Sequence, residues 1–129
     1  MKESTKALAI LLVDDEAEFA STLAERLNLR DFNASVALDG ASALARIASE
    51  HFDMVLLDVM LPGMDGIEIL KRIREIKPEL PVILLTGQAG TKDGIEGMKQ
   101  GAKGYLIKPV DLGELLDLMA ELIGGCRNA

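Results

Sequence analysis

The sequence is poor in cysteine and in long apolar runs, and each shortage excludes a class of protein. A single cysteine, Cys126, excludes an internal disulfide framework and fits a reducing compartment. The longest apolar runs, 8–13 and 82–85, are too short to span a bilayer. No basic segment precedes a long apolar run, so the sequence predicts no signal peptide. We therefore expect a cytoplasmic protein without a membrane partner.

Aromatic residues and positive charge are also scarce. Aromatic residues make up 3% of the chain and tryptophan is absent, which leaves no stacking platform for nucleic acid bases. The formal net charge is −7, whereas phosphate backbones are bound by clustered Lys and Arg. We expect no direct nucleic acid partner, so any gene-regulatory role would act through another polypeptide.

The composition is otherwise that of an ordinary folded domain. The chain has 129 residues, of which 49% are hydrophobic and 27% charged, which is enough to bury one core. We expect a flexible N-terminus over 1–7, one domain over 8–123, and a tail or the start of a linker over 124–129.

Short apolar runs alternate with segments of helical period, a pattern typical of an α/β fold with a parallel sheet. Strands are predicted near 8–13, 34–38, 53–57, 81–86 and 104–107. Helices are predicted near 16–29, 40–50, 66–77, 91–101 and 111–123. Five such units predict a doubly wound (βα)5 sheet with strand order 2-1-3-4-5. The first, third and fourth strands carry continuous Leu, Ile and Val with little alternation, which indicates strands covered on both faces.

Polar side chains stand directly after four of the apolar runs. They are Asp14, Asp15, Asp58, Thr86 and Lys108. Parallel strands deliver their carboxyl ends to one edge of the sheet, and ligands bind there beside the switch point between the first and third strands. We therefore expect three carboxylates, a hydroxyl and an ammonium to share one crevice.

The acid pair Asp14 and Asp15 has two interpretations. Acidic residues are common at helix N-termini because the helix dipole stabilises negative charge there. This interpretation explains the acid at Glu16 and partly the acid at Asp15. Two carboxylates about 4 Å apart repel by roughly 4 kcal/mol at an effective dielectric of 20, however, and a bound cation removes that cost. Oxygen ligands with room for water favour Mg²⁺, so we predict a magnesium site.

Asp58 precedes the loop 59–66, which carries turn signals at Pro62, Gly63 and Gly66. An acid at a strand end is often only the start of a turn. A carboxylate can also act as a covalent nucleophile toward phosphorus, and Lys is a good partner for phosphate. Thr86 and Lys108 are weak signals singly, because Thr is common in strands and a strand-end Lys is usually solvated.

Together these motifs resemble the receiver domain of bacterial two-component response regulators, over roughly 8–123. The resemblance implies a flavodoxin-like fold and a phosphoacceptor role for Asp58, with a histidine kinase or phosphotransfer protein as the donor. The implied ligands of Mg²⁺ are Asp14, Asp15, Asp58 and the backbone carbonyl of Met60, with Asp14 often acting through water. The residues implied to contact the phosphoryl group are Thr86 and Lys108.

The resemblance also implies a switch rather than an enzyme, with only self-phosphorylation and slow self-dephosphorylation. Tyr105 matches the aromatic residue that changes rotamer together with Thr86. An unknown downstream protein or effector domain would read the switch, and a homodimer could form through the face from the fourth to the fifth helix. The cognate kinase, the output target and the presence of this domain in a longer regulator stay open.

Three alternatives share parts of this pattern. A flavin mononucleotide carrier would need a phosphate-binding loop after the first strand. This chain has Asp14 and Asp15 there, which would repel the phosphate group. A Mg²⁺-dependent aspartyl-phosphate phosphatase usually carries a second acid two residues after the nucleophile, where this chain has Met60. The third alternative is a receiver-like module that works without phosphorylation. Against it, every residue that the resemblance assigns to phosphorylation is present in this chain.

Glycines interrupt the predicted fourth helix at Gly90, Gly94, Gly97 and Gly101. Each interior glycine costs roughly 1 kcal/mol against alanine. One hypothesis is that residues 87–101 shift between two populations when Asp58 is modified. The alternative is that these are tolerated surface glycines, or a poorly formed helix, without a role.

Overall fold

The computed structural model describes residues 7–61, 63–87 and 92–124, with only the backbone at 92–94 and 124. The strands are β1 (Ala9–Val13), β2 (Asn33–Ala37), β3 (Met54–Asp58), β4 (Val82–Thr86) and β5 (Gly104–Ile107). The helices are α1 (Ala17–Asn28), α2 (Gly40–Ser49), α3 (Gly66–Ile76), α4 (Lys92–Lys99) and α5 (Leu112–Gly124). Within these ranges, no helix has the length and apolar character needed to cross a bilayer.

The five strands form one parallel sheet in the order β2-β1-β3-β4-β5, which confirms the predicted doubly wound topology. Successive residues of a strand point to opposite faces, so an apolar strand feeds two cores. Ile10 and Leu12 of β1 join the core that includes Leu27 of α1 and Leu115 of α5. Leu11 of β1 joins the core on the other face, with residues of α2 and α3. The continuous apolar strands are therefore explained by burial on both faces.

The predicted elements all exist in the described ranges, and their ends differ from the structure by at most two residues. The difference matters at Asp58, which is the last residue of β3 rather than the first residue after it, whereas Thr86 ends β4 as predicted. Asp58 lies opposite Leu85 and Thr86 lies opposite Ile107 in the sheet. Backbone pairing thus continues through both polar residues and fixes their positions. The expected termini 1–6 and 125–129, and the turn residue Pro62, lie outside the described residues.

The start of α3 packs directly on the chain that leaves β3. The backbone N–H of Gly66 donates to the carbonyl of Val59 at 3.2 Å. A β-carbon added at Gly66 would lie 2.5 Å from the α-carbon of Val59. Asp65 caps the helix by accepting a hydrogen bond from the N–H of Ile67 at 3.2 Å. The backbone hydrogen bond from Gly66 to Val59 therefore joins the two ends of the loop after Asp58.

Helix α4 lies close against the sheet, and this corrects one interpretation of its glycines. Gly97 is buried, and a β-carbon there would collide with Cδ1 of Leu84 in β4. The description of Gly97 as a tolerated surface glycine is therefore wrong. It allows α4 to approach β4 more closely than any other residue would. Gly90 lies outside the described residues.

We expect Gly66→Ala to lower the free energy of unfolding by about 1–3 kcal/mol, the usual cost of overpacking. The added methyl group meets the backbone of Val59, which cannot move aside as a side chain would. Urea denaturation followed by circular dichroism measures the change.

Gly113→Ala is the matched control, because its β-carbon would meet only the carboxylate of Asp111 at 3.3 Å. That variant should be neutral or more stable by up to about 1 kcal/mol, since alanine favours helix. Equal stability of Gly66→Ala and the wild type would contradict the proposed close packing.

Candidate functional site

The carboxyl ends of β1 and β3 bring three acids together. Asp14 follows β1, Asp15 is the next residue, and Asp58 ends β3. Each offers a carboxylate oxygen, and these oxygens lie within 4.8 Å of one another. Asp14 is fully buried and Asp58 is nearly so, whereas Asp15 is exposed. Each ionised pair at this distance repels by roughly 3 kcal/mol at an effective dielectric of 20.

The backbone that follows Asp58 orients its carboxylate. Its Oδ1 accepts a hydrogen bond from the N–H of Met60 at 3.0 Å, which fixes the plane of the carboxylate. Burial raises the pKa of Asp58 above its ordinary value of 3.8, and the charges of Asp14 and Asp15 act in the same direction. The Met60 hydrogen bond and the ammonium of Lys108 oppose this rise only in part. The folded protein therefore disfavours the ionised form of Asp58 relative to its protonated form.

Lys108 supplies the opposing charge from the end of β5. Its Nζ lies 3.1 Å from Oδ2 of Asp14 and 3.7 Å from Oδ2 of Asp58, and its side chain is 19% exposed. Burial by itself lowers the pKa of Lys108, but hydrogen bonds to Glu16 and Asp14 and the charge of Asp58 raise it on balance. The ammonium thus stays charged beside the acids. The Lys108–Pro109 bond is cis.

Two residues of this site were missed by reasoning from the sequence. Oε1 of Glu16 accepts a hydrogen bond from Nζ of Lys108 at 2.7 Å. The ring of Phe19 lies under the same ammonium, with its centroid 4.7 Å away, within the range of a cation–π contact. Glu16 and Phe19 lie three residues apart at the start of α1, and this nearness in sequence is the one signal that could have grouped them. Nothing local in the sequence pairs them with Lys108.

The remaining predicted site residues follow Asp58 or lie on β4 and β5, and the histidine of the chain, His51, lies away from the site. Thr86 is buried at the end of β4, and its carbonyl accepts a hydrogen bond from the N–H of Lys108 at 2.7 Å. The side chain of Met60 is 69% exposed, and Tyr105 on β5 is 37% exposed. His51 precedes β3, at the opposite end of that strand from Asp58, and its solvent-exposed ring contacts Asp53 at 3.0 Å.

The donor set fits a hard divalent cation. Three carboxylates in mutual reach offer only oxygen ligands, and the exposed Asp15 leaves room for water ligands. Mg²⁺ prefers such ligands and keeps part of its water shell. The same edge also presents an ammonium and a threonine, which are groups that bind phosphoryl oxygens.

Comparisons with known proteins agree on one family. The family model described as the response regulator receiver domain matches residues 10–120. The response regulator ArlR of Staphylococcus aureus is 36% identical over 107 residues, which cover 83% of this chain. The chain spans 48% of the length of ArlR and 27% of another curated relative.

Solved structures share the fold. A CheY-like response regulator receiver domain from Methanospirillum hungatei is 28% identical, with a TM-score of 0.88, and the match covers 95% of this chain and 98% of that one. A response regulator protein from Burkholderia pseudomallei is 26% identical, with a TM-score of 0.82 and coverage of 94% and 71%. That structure contains a phosphorylated aspartic acid, a calcium ion and citrate.

We expect Asp58→Asn to be more stable than the wild type at neutral pH without divalent cations. The raised pKa of Asp58 means that its ionised form destabilises the fold, and the amide removes that charge. Stability of the wild type should fall as the pH rises through the folded-state pKa of Asp58. The advantage of the variant should therefore disappear as the pH drops toward 3.8, the ordinary value. Thermal melts across this pH range measure the difference.

Glu121→Gln on α5 is the control, because it removes an exposed acid and should change stability by less than about 0.5 kcal/mol. A lower melting temperature for Asp58→Asn at neutral pH would contradict the prediction.

Proposed function

The chain belongs to the response regulator receiver domain family, and on that premise we propose that Asp58 is its phosphoacceptor. The donor is a phosphohistidine of a histidine kinase or of a phosphotransfer protein. The observation that carries the proposal is the buried carboxylate of Asp58, which ends β3 beside an acid pair and 3.7 Å from an ammonium. The phosphorylated aspartic acid of the Burkholderia pseudomallei relative supports the same chemistry.

In the transfer step a carboxylate oxygen of Asp58 attacks phosphorus and forms an O–P bond. The P–N bond of the phosphohistidine breaks, and the imidazole nitrogen leaves with the electron pair. The amide of Met60 orients the nucleophile through Oδ1. Burial helps as well, because a poorly solvated carboxylate loses less hydration when it reacts.

We assign Asp14, Asp15 and Asp58 as the residues that hold Mg²⁺, with the backbone carbonyl of Met60 as a further ligand. When bound, the cation supplies positive charge to the transferring group and relieves the repulsion among the acids. Lys108 supplies a second positive charge at the same edge and contacts the phosphoryl oxygens. The proximity of the three carboxylates supports this assignment.

Thr86 and Tyr105 form the proposed switch. Thr86 ends the strand next to Asp58 and is buried, so its hydroxyl can reach a phosphoryl group on that residue. Tyr105 lies on the neighbouring strand β5, partly exposed, and can change rotamer when Thr86 moves. A charge change at Asp58 would thus alter a surface several residues away.

The output is a change in protein binding. Exposed apolar side chains lie on α4 and β5: Ile95, Met98, Tyr105 and Ile107. They favour a downstream protein, an effector domain or a second copy docking on the face from α4 to α5. By this proposal the domain is a signalling switch and turns over no external substrate.

Incubation with a small phosphodonor and Mg²⁺ should add the mass of one phosphoryl group to the wild type. Asp58→Asn should gain none, because the amide cannot act as the nucleophile. Intact-mass spectrometry measures both. Chelation of the cation should slow the wild-type reaction on the order of tenfold or more, since charge stabilisation of this kind is worth several kcal/mol.

Asp117→Asn, an exposed acid on α5, should gain the same mass as the wild type. An equal mass gain in Asp58→Asn would move the phosphoacceptor elsewhere. No gain in the wild type would favour the module that works without phosphorylation.

Met60→Asn should shorten the lifetime of the phosphorylated state. The exposed thioether of Met60, two residues after Asp58, hinders an attacking water, whereas an amide can hydrogen-bond it. We expect up to about tenfold faster decay, equivalent to roughly 1.4 kcal/mol in the barrier. Leu29→Asn, at an exposed apolar residue after α1, should decay like the wild type. Identical decay of Met60→Asn and the wild type would refute this role of Met60.

A further inference from the structure

The shortest contact of Lys108 is with a residue outside the proposed phosphotransfer machinery. Its Nζ lies 2.7 Å from Glu16, 3.1 Å from Asp14 and 3.7 Å from Asp58. The first two are hydrogen bonds and the third is a looser ion pair. The centroid of the Phe19 ring, in the first turn of α1, lies 4.7 Å from the same ammonium. Contacts at the start of α1 therefore hold the ammonium on the side of the exposed Glu16, which we call the rim of the site.

Glu16 occupies the position at the start of α1 whose side chain commonly caps the helix. It is the N-cap residue of α1, and its carboxylate makes no capping hydrogen bond. N-caps favour Ser, Thr, Asp and Asn, whose short side chains bond back to the helix. The N–H of Glu16 donates to Oδ1 of Asp14 at 2.9 Å, and its carboxylate accepts a hydrogen bond from Lys108. A longer acid at this position is thus directed to Lys108.

The ammonium of Lys108 and a divalent cation would compete for the same carboxylates. Lys108 contacts Asp14 and Asp58, which are two of the three acids in the proposed cation site. If the ammonium moved fully onto Asp14 and Asp58, a cation would have to displace it. A third acid on the outer side of Lys108 opposes that movement by offering it a closer partner.

We propose that Glu16 is a positioning residue that holds Lys108 at the rim and so keeps Asp14 and Asp58 available to the divalent cation. This inference rests on the proposed function, because it takes the three acids as the Mg²⁺ site. Glu16 acts through Lys108, and its removal lets the ammonium settle among the acids. It therefore sets the cation affinity of the site without touching the cation.

Glu16 also carries a negative charge of its own, which attracts any cation nearby. A double-mutant cycle separates the two effects, because the direct attraction does not need Lys108. Calorimetric titration with Mg²⁺ is carried out on the wild type, Glu16→Gln, Lys108→Met and the double variant. Glu16→Gln should weaken Mg²⁺ binding on the order of tenfold in the wild-type background, as expected for residues in direct contact.

In the Lys108→Met background the same substitution should have only the small effect of a distant charge. Glu18→Gln defines that effect, since Glu18 is an exposed acid in the first turn of α1. Glu16→Asp adds a test of reach: it keeps the charge but shortens the side chain by one methylene, so it should restore part of the lost affinity. Thermal melts of all variants confirm that each is folded.

Equal effects of Glu16→Gln in both backgrounds would overturn the inference and leave the proposed function intact. A wild-type chain that does not bind Mg²⁺ would overturn the cation site and this inference together. The mass-gain test on Asp58 distinguishes these cases, because it reports phosphotransfer independently of Glu16.

Discussion

The ammonium of Lys108 lies within 4 Å of the carboxylates of Asp14, Glu16 and Asp58, and the functional edge of the sheet depends on this balance of charge. Asp14 and Asp58 are buried, where an uncompensated carboxylate is costly. The position of Lys108 is set by the backbone, since its N–H donates to the carbonyl of Thr86 at the end of β4. The pairing of β4 with β5 therefore places the charge that makes the acid cluster tolerable.

Much of the fold could be predicted from the sequence because its signals are local. Continuous apolar runs such as 82–85 indicate strands buried on both faces, and the structure shows their alternate residues in two separate cores. One topological rule then sends Asp14, Asp58 and Lys108 to a common edge. The small errors at strand ends have a physical reason. The polarity of Asp58 places it just after the predicted third strand, whereas backbone pairing continues through it to Leu85.

The contacts across the site could not be predicted in this way. Glu16 and Lys108 are 92 positions apart in the chain, and their hydrogen bond depends on the direction of two long side chains. The sequence explained Glu16 by the helix dipole, which is a local argument and overlooks the partner. The cation–π contact of Phe19 has the same character, because the residue reads simply as part of the apolar stripe of α1. Rules of local pattern place backbone ends well and place side-chain partners poorly.

The contact between Gly97 and Leu84 has a consequence for how this chain can vary through evolution. A β-carbon at 97 would occupy the place of Cδ1 of Leu84, so any larger residue at 97 requires the Leu84 side chain to move. A lineage that enlarges residue 97 must also repack or shrink residue 84, and either substitution alone costs stability through overpacking or a cavity. Leu84 lies two residues before Thr86 in β4. The inherited constraint thus joins the helix on the surface to the strand that ends at the site.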